Sequence, residues 1–217
     1  MPVADAALSM DAAGQPARFE IEGKQSLPSD GTSRRFLIRR VSFPASFGHR
    51  AVVSLAPSAY LVAETRNHTD LPFLPGPTRV FLGTEFVGAG RLEAVAPAQA
   101  FTISLGVDRF VDVERQLVHR DVKAESGGKR ERVEYLWRTK IENRRKQPIS
   151  LVLVDQVPVS ESADVEVSGV QPNPVPLEEN QETGALRWVL DMAPGHVDTV
   201  ELAFRIRHSK VQRLPIP

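Results

Sequence analysis

The chain has 217 residues, carries 27 Lys+Arg against 27 Asp+Glu, and contains no cysteine. That composition leaves no disulfide framework, no thiolate nucleophile and no Cys-ligated metal cluster to build on. The balance also holds in each half, 11 basic against 10 acidic residues over 1–110 and 16 against 17 over 111–217, so neither half has the basic excess that drives counterion release from nucleic acid.

Residues 1–17 are Ala-rich and poor in large apolar side chains, and read as a mobile N-terminal segment. They lack the basic start and apolar stretch of a signal peptide. No apolar run approaches the roughly 20 residues of a membrane span, so the chain is expected to be soluble without a spanning segment. From Phe19 the text turns to strands, with Phe19 and Ile21 alternating against Arg18, Glu20 and Glu22. Pro28-Ser29-Asp30-Gly31 is turn chemistry. A strand is predicted over Arg35 to Phe43, a second around His49 to Leu55, and a third in which Ala59, Leu61 and Ala63 oppose Tyr60, Val62 and Glu64.

Thr78 to Leu82 and Glu85 to Val87 read as a hairpin turned by Gly83-Thr84, with glycine at the first central position. Phe101, Ile103 and Leu105 form another clean alternation. After Val111 and Val113 a charged stretch runs to a hairpin tip at Ser126-Gly127-Gly128-Lys129. Val133, Tyr135, Trp137, Thr139 and Ile141 then share one face of the clearest strand, and that much apolar surface requires an opposing sheet. Ile149 to Val157 is apolar enough to expect cover on both faces. Prolines at 172, 174 and 176 open a loop to Gly184, since proline cannot donate to a central ladder. Leu186, Trp188 and Leu190 mark a strand, Ala193-Pro194-Gly195 a turn, and Val200, Leu202, Phe204 and Ile206 the last strand.

Strands recurring every 8–12 residues or so between turns point to an all-β protein built of two consecutive antiparallel β-sandwich units, immunoglobulin-like in style. The units are expected at 18–110 and 111–217, with the joint near Phe110.

Several blocks in order carry a resemblance: Pro57 to Ala63, Asn67-His68-Thr69-Asp70-Leu71-Pro72-Phe73-Leu74-Pro75-Gly76-Pro77, Val80-Phe81-Leu82, Leu105 to Asp108, Ile141-Glu142-Asn143 and Asp155-Gln156-Val157-Pro158. Over about residues 19–208 the chain resembles the C-terminal region of mucoidy-inhibitor-A-like proteins, a domain of unknown function. The resemblance implies a longer parent with an N-terminal domain and a coiled coil, through which the protein could meet itself. It brings no catalytic residues to carry over.

The residues themselves offer little chemistry. There is no Gly-x-Ser-x-Gly elbow, and His49, His68, His119, His196 and His208 are scattered without metal-ligand spacing. Gly88-Ala89-Gly90 lacks the third glycine and following helix of a dinucleotide loop. The candidate binding residues are Arg66, Asn67, His68 and Asp70, a polar cluster in which Asn67 and Asp70 serve equally well as turn-forming side chains. No catalytic residue, metal site or cofactor is expected. Arg34-Arg35, Arg39-Arg40 and Arg144-Arg145-Lys146 could hold an acidic polysaccharide, and Trp137 and Trp188 could stack on sugar if exposed, although both lie in the apolar phase of their strands. Three functional readings result: a non-enzymatic module binding a protein partner, a capsule-polymer binder, and a hydrolase with an unfamiliar site. Cytoplasm and bacterial envelope are both open as locations.

Overall fold

The computed structural model describes residues 28–209, apart from 126, 128, 161 and 163, together with Phe19 and Ser26. The segment 1–17 and the strand expected through Ile21 lie outside the described residues. Among the described residues the protein is all-β, with no helix. Its strands are β1 (Ser46–Val52), β2 (Tyr60–Arg66), β3 (Gly76–Leu82), β4 (Glu85–Leu92), β5 (Ala100–Val107), β6 (Val111–Ala124), β7 (Arg130–Asn143), β8 (Ile149–Gln156), β9 (Glu166–Asn173), β10 (Glu178–Asn180), β11 (Ala185–Met192) and β12 (Val197–Ser209). The chain divides into two compact units that interleave in sequence: unit 1 takes Met1–Ser46 and Ala63–Ile103, and unit 2 takes Phe47–Val62 and Ser104–Pro217.

Unit 2 is a β-sandwich. One sheet has the order β6-β7-β12-β9; the other runs β10-β11-β8-β1-β2-β5, with β2 and β5 contributing here their Tyr60–Val62 and Ser104–Val107 portions. Strands β7 and β12 pair along their whole length, bringing Tyr135 opposite Phe204 and Val133 opposite Ile206. The Tyr135 and Phe204 rings stack with centroids 5.2 Å apart. Facing them, Leu153 pairs with Trp188 and Leu151 with Leu190 across β8 and β11. Ile141, Leu151, Leu153 and Leu186 are fully buried within this one core, as the period-two pattern requires.

Several expectations need correcting. The strand predicted over Arg35 to Phe43 is absent, for residues 31–45 form no strand and the first begins at Ser46. There the side chains come in blocks, Arg34-Arg35, Phe36-Leu37-Ile38 and Arg39-Arg40, so no dry face forms, and Leu37 and Ile38 are exposed. The sandwich is not wholly antiparallel, because β1 and β8 pair in parallel with His49 opposite Leu151. Nor is β8 covered on both faces: Ile149, Leu151 and Leu153 are buried, whereas Ser150 is exposed and Val152 and Val154 are half-buried. The charged stretch after Val113 is itself the long strand β6, whose Val111 to Ala124 pairs with Asn143 to Glu131.

The loop expected from Pro172 is partly strand. Pro172 sits in β9, an edge strand, where its missing donor is tolerated, and Glu178–Asn180 form the short edge strand β10. The Gly83-Thr84 turn is as expected, joining Leu82 to Glu85 with Gly83 at φ 62°.

At one rim of unit 2 a single side chain ties two turns together. Asn143, fully buried at the end of β7, donates through Nδ2 to the carbonyls of Gln147 (3.0 Å), Met192 (3.0 Å) and Ala193 (3.1 Å). Its Oδ1 accepts from Arg145 N–H at 3.0 Å. A buried carbonyl without a donor costs about 1–3 kcal/mol. Asn143→Ala is therefore expected to lower the unfolding free energy by about 3 kcal/mol, read as a shift in the urea midpoint at constant slope.

Candidate functional site

The cluster singled out in the sequence belongs to unit 1, and the structure separates its members. Asn67 is fully buried. Its Nδ2 donates to the carbonyls of Leu71 (2.8 Å), Val95 (3.3 Å) and Ala96 (3.3 Å), and its Oδ1 accepts from Thr69 N–H at 3.0 Å and Thr69 Oγ1 at 2.7 Å. With every hydrogen bond spent inside the fold, Asn67 holds a turn and has nothing left for a ligand. Asp70 points outward and lies 3.7 Å from Arg39. Arg66 donates to the Ala98 carbonyl and, with His68, Glu64 and Pro44, lines a shallow concavity of about 390 Å³. Arg66 and His68 thus share a surface that Asn67 and Asp70 do not line.

Beneath that rim Phe43, Phe73 and Phe101 meet edge to face, with centroids 5.7, 6.4 and 5.8 Å apart, and form the small apolar centre of unit 1. Ala98, in the turn that Asn67 grips, has φ 60°. A Cβ is strained in this left-handed region. Ala98→Gly is expected to raise thermal stability by about 1 kcal/mol, a rise in melting temperature of a few degrees.

Unit 2 holds a charged cluster that spacing alone does not signal, because its members lie on three separated segments. His49 on β1 places Nε2 2.7 Å from Asp108 Oδ2, with both side chains buried. Arg145 also donates to that oxygen, and Phe110 N–H donates to Oδ1 at 3.0 Å. Burial alone would raise the Asp108 pKa, but the hydrogen bonds from Arg145, Phe110 N–H and His49 outweigh it and hold the carboxyl below its ordinary 3.8. A histidine against a carboxylate is half of a hydrolytic arrangement, yet here both side chains are buried and His49 Nδ1 has no hydrogen-bond partner among the described residues.

Unit 2 holds a second buried pair. Asp155, buried on β8, accepts from Arg115 Nη2 at 3.1 Å and Nε at 3.3 Å and from Gln156 N–H at 2.8 Å. Burial nevertheless outweighs these and raises its pKa. The Arg115 guanidinium lies 3.9 Å from the Trp137 ring, so this tryptophan is half-buried under a cation. Trp188 is buried and donates to the Pro174 carbonyl at 2.8 Å. Of the arginine runs, Arg34 pairs with Asp30, and Arg144 with Asp112 and Glu142. Neither tryptophan offers an open stacking face, and these arginines are occupied.

The β3–β4 hairpin of unit 1 differs from everything above. It forms a two-stranded sheet of its own, and Phe81, Leu82 and Phe86 at its tip are 54%, 52% and 55% exposed. The two Phe rings meet at 5.4 Å. Among the described residues no group of three or more His, Asp or Glu could hold a metal ion, and no helix is long and apolar enough to cross a membrane.

Because its folded pKa lies below the unfolded value, Asp108 adds stability that is fully present above about pH 4 and is lost as pH falls through the folded pKa. Asp155, shifted up, contributes the opposite slope in acid. Asp108→Asn should therefore flatten the loss of stability on acidification below pH ~4, measured by urea unfolding across that range.

Comparison with known proteins gives one family. The model of a domain of unknown function (DUF4139) matches residues 6–210. Protein F37C4.5 of Caenorhabditis elegans is 26% identical over 169 residues, covering 72% of this chain and 30% of that protein. The chain thus spans under a third of the length of this curated relative. No solved structure matches.

Proposed function

Since the chain belongs to the DUF4139 family, we propose from its own geometry that it is a non-enzymatic β-sandwich interaction module. In this reading it is the C-terminal part of a mucoidy-inhibitor-A-like protein and binds another protein through the β3–β4 hairpin. The observation that carries the reading is the apolar tip: Phe81, Leu82 and Phe86 stand more than half exposed on a sheet of two strands. An isolated two-stranded hairpin is marginal in water, and a contiguous exposed aromatic tip is the kind of surface that proteins reserve for contact. Polysaccharide binding has less support, because Trp188 is buried and Arg115 covers Trp137. Hydrolysis has less as well, because His49 and Asp108 are both buried.

A photo-crosslinking side chain at position 86 is expected to yield a discrete protein adduct in cells of the source organism. The same group at exposed Leu55 of unit 2 should yield none, and Phe81→Ser should remove the first adduct. Equal labelling from both positions would overturn the assignment of the hairpin.

A further inference from the structure

The two units contain the same construction. In unit 1, Asn67 donates to the carbonyls of Leu71, Val95 and Ala96; in unit 2, Asn143 donates to those of Gln147, Met192 and Ala193. Each asparagine accepts on Oδ1 from the N–H two residues on, Thr69 or Arg145. Each backbone N–H bonds the carbonyl of Gln99 or His196, and each carbonyl accepts from Ala98 or Gly195. Those last two residues are the left-handed ones, at φ 60° and 72°.

The sequence repeats with the geometry. Pro72 and Pro148 follow their asparagines at one spacing, and Val95-Ala96-Pro97-Ala98-Gln99 answers Met192-Ala193-Pro194-Gly195-His196. Phe73 bridges Val95 as Ile149 pairs with Met192. The hairpin β3–β4 is thereby the counterpart of β8–β11, and β2 and β5 are the counterparts of β7 and β12.

The equivalence identifies which face of β3–β4 is unfinished. Leu153, Leu186 and Trp188 cover the inner face of β8–β11 and are buried in the core of unit 2. At the matching positions unit 1 has Pro77, Ala89 and Arg91, and the same face continues through Arg79, Phe81 and Phe86, all exposed. Neither Arg79 nor Arg91 pairs with a carboxylate among the described residues, and Glu93, two residues beyond Arg91, is also exposed.

We infer that this face docks an extended segment of a partner protein that alternates carboxylate with apolar side chains. The segment takes the place that Arg130–Tyr135 of β7 and Arg205–Ser209 of β12, the stretches with no counterpart in β2 and β5, fill in unit 2. Its carboxylates meet Arg79 and Arg91, and its apolar side chains cover Phe81 and Phe86. The inference rests on the interaction-module reading and names the chemistry of the partner.

The test uses the whole chain and two labelled synthetic peptides, one alternating Glu with Val and one alternating Lys with Val, in fluorescence anisotropy. Binding of the Glu peptide alone is expected. It should weaken about tenfold or more in Arg79→Glu/Arg91→Glu and in Phe81→Ser/Phe86→Ser. The charge-reversed variant should gain the Lys peptide. All four positions are exposed, and an unchanged melting temperature keeps a loss of binding from being a loss of fold. Indifference to peptide charge, no binding of the Glu peptide, or capture only by phosphatidylserine vesicles would overturn the inference. If the adduct at position 86 still forms in those cases, the partner's chemistry is wrong and the module stands; if the adduct is also missing, both fall.

Discussion

Buried carbonyls at the ends of strands are the constraint on which both units depend. A sandwich can stack its apolar faces only if the chain turns at the rim, and turning strips carbonyls of their ladder partners. Each one left dry costs a sizeable part of the margin by which a domain stays folded. Asn67 and Asn143 meet this with one side chain apiece, each supplying two donors to three carbonyls and an acceptor to its own loop. The conformation of the facing turn follows from that grip, including a left-handed residue that glycine fills at 195 and alanine fills at 98.

Inside unit 2 the same logic applies to charge. Breaking a buried ion pair by removing one partner typically costs about 3–5 kcal/mol. Asp108 is therefore tied at both oxygens, and Asp155 is held by a guanidinium that itself lies over Trp137. The second pair joins strand β6 to strand β8, and the first links loops to a strand. Asp108 joins the segment before β6 to β1 and to the turn after β7, three stretches far apart in sequence.

That distance explains what could be read from the sequence. The faces of β7, β11 and β12 were legible because a dry face writes itself at every second position, from Val133 to Ile141 and from Val200 to Ile206. The Gly83-Thr84 turn was legible because its backbone selects glycine. The parallel pairing of β1 with β8 was not, since nothing local records which edge a strand will join. The His49–Asp108–Arg145 cluster was hidden for the same reason. Asn67 was visible as a polar residue in a polar stretch, but its complete burial depends on carbonyls 28 and 29 residues away. The β6 strand was obscured by its charges, which an edge strand carries without penalty on its wet face.

The repeat explains why one chain holds both a well-filled core and a bare hairpin. Once two copies of a construction exist in one chain, each needs its rim asparagine and its turn, and both keep them. The inner face is under a different demand in each copy. In unit 2 it must exclude water, and Leu151, Leu153, Leu186 and Trp188 do so. In unit 1 Pro75, Pro77, Ala89 and Arg91 stand at the corresponding places and the face continues through Arg79, Phe81 and Phe86, a composition unsuited to a sealed core and suited to reversible contact with something charged and apolar. Phe43, Phe73 and Phe101 then carry the packing of unit 1, while Phe81, Leu82 and Phe86 at the far end of β3–β4 stay exposed.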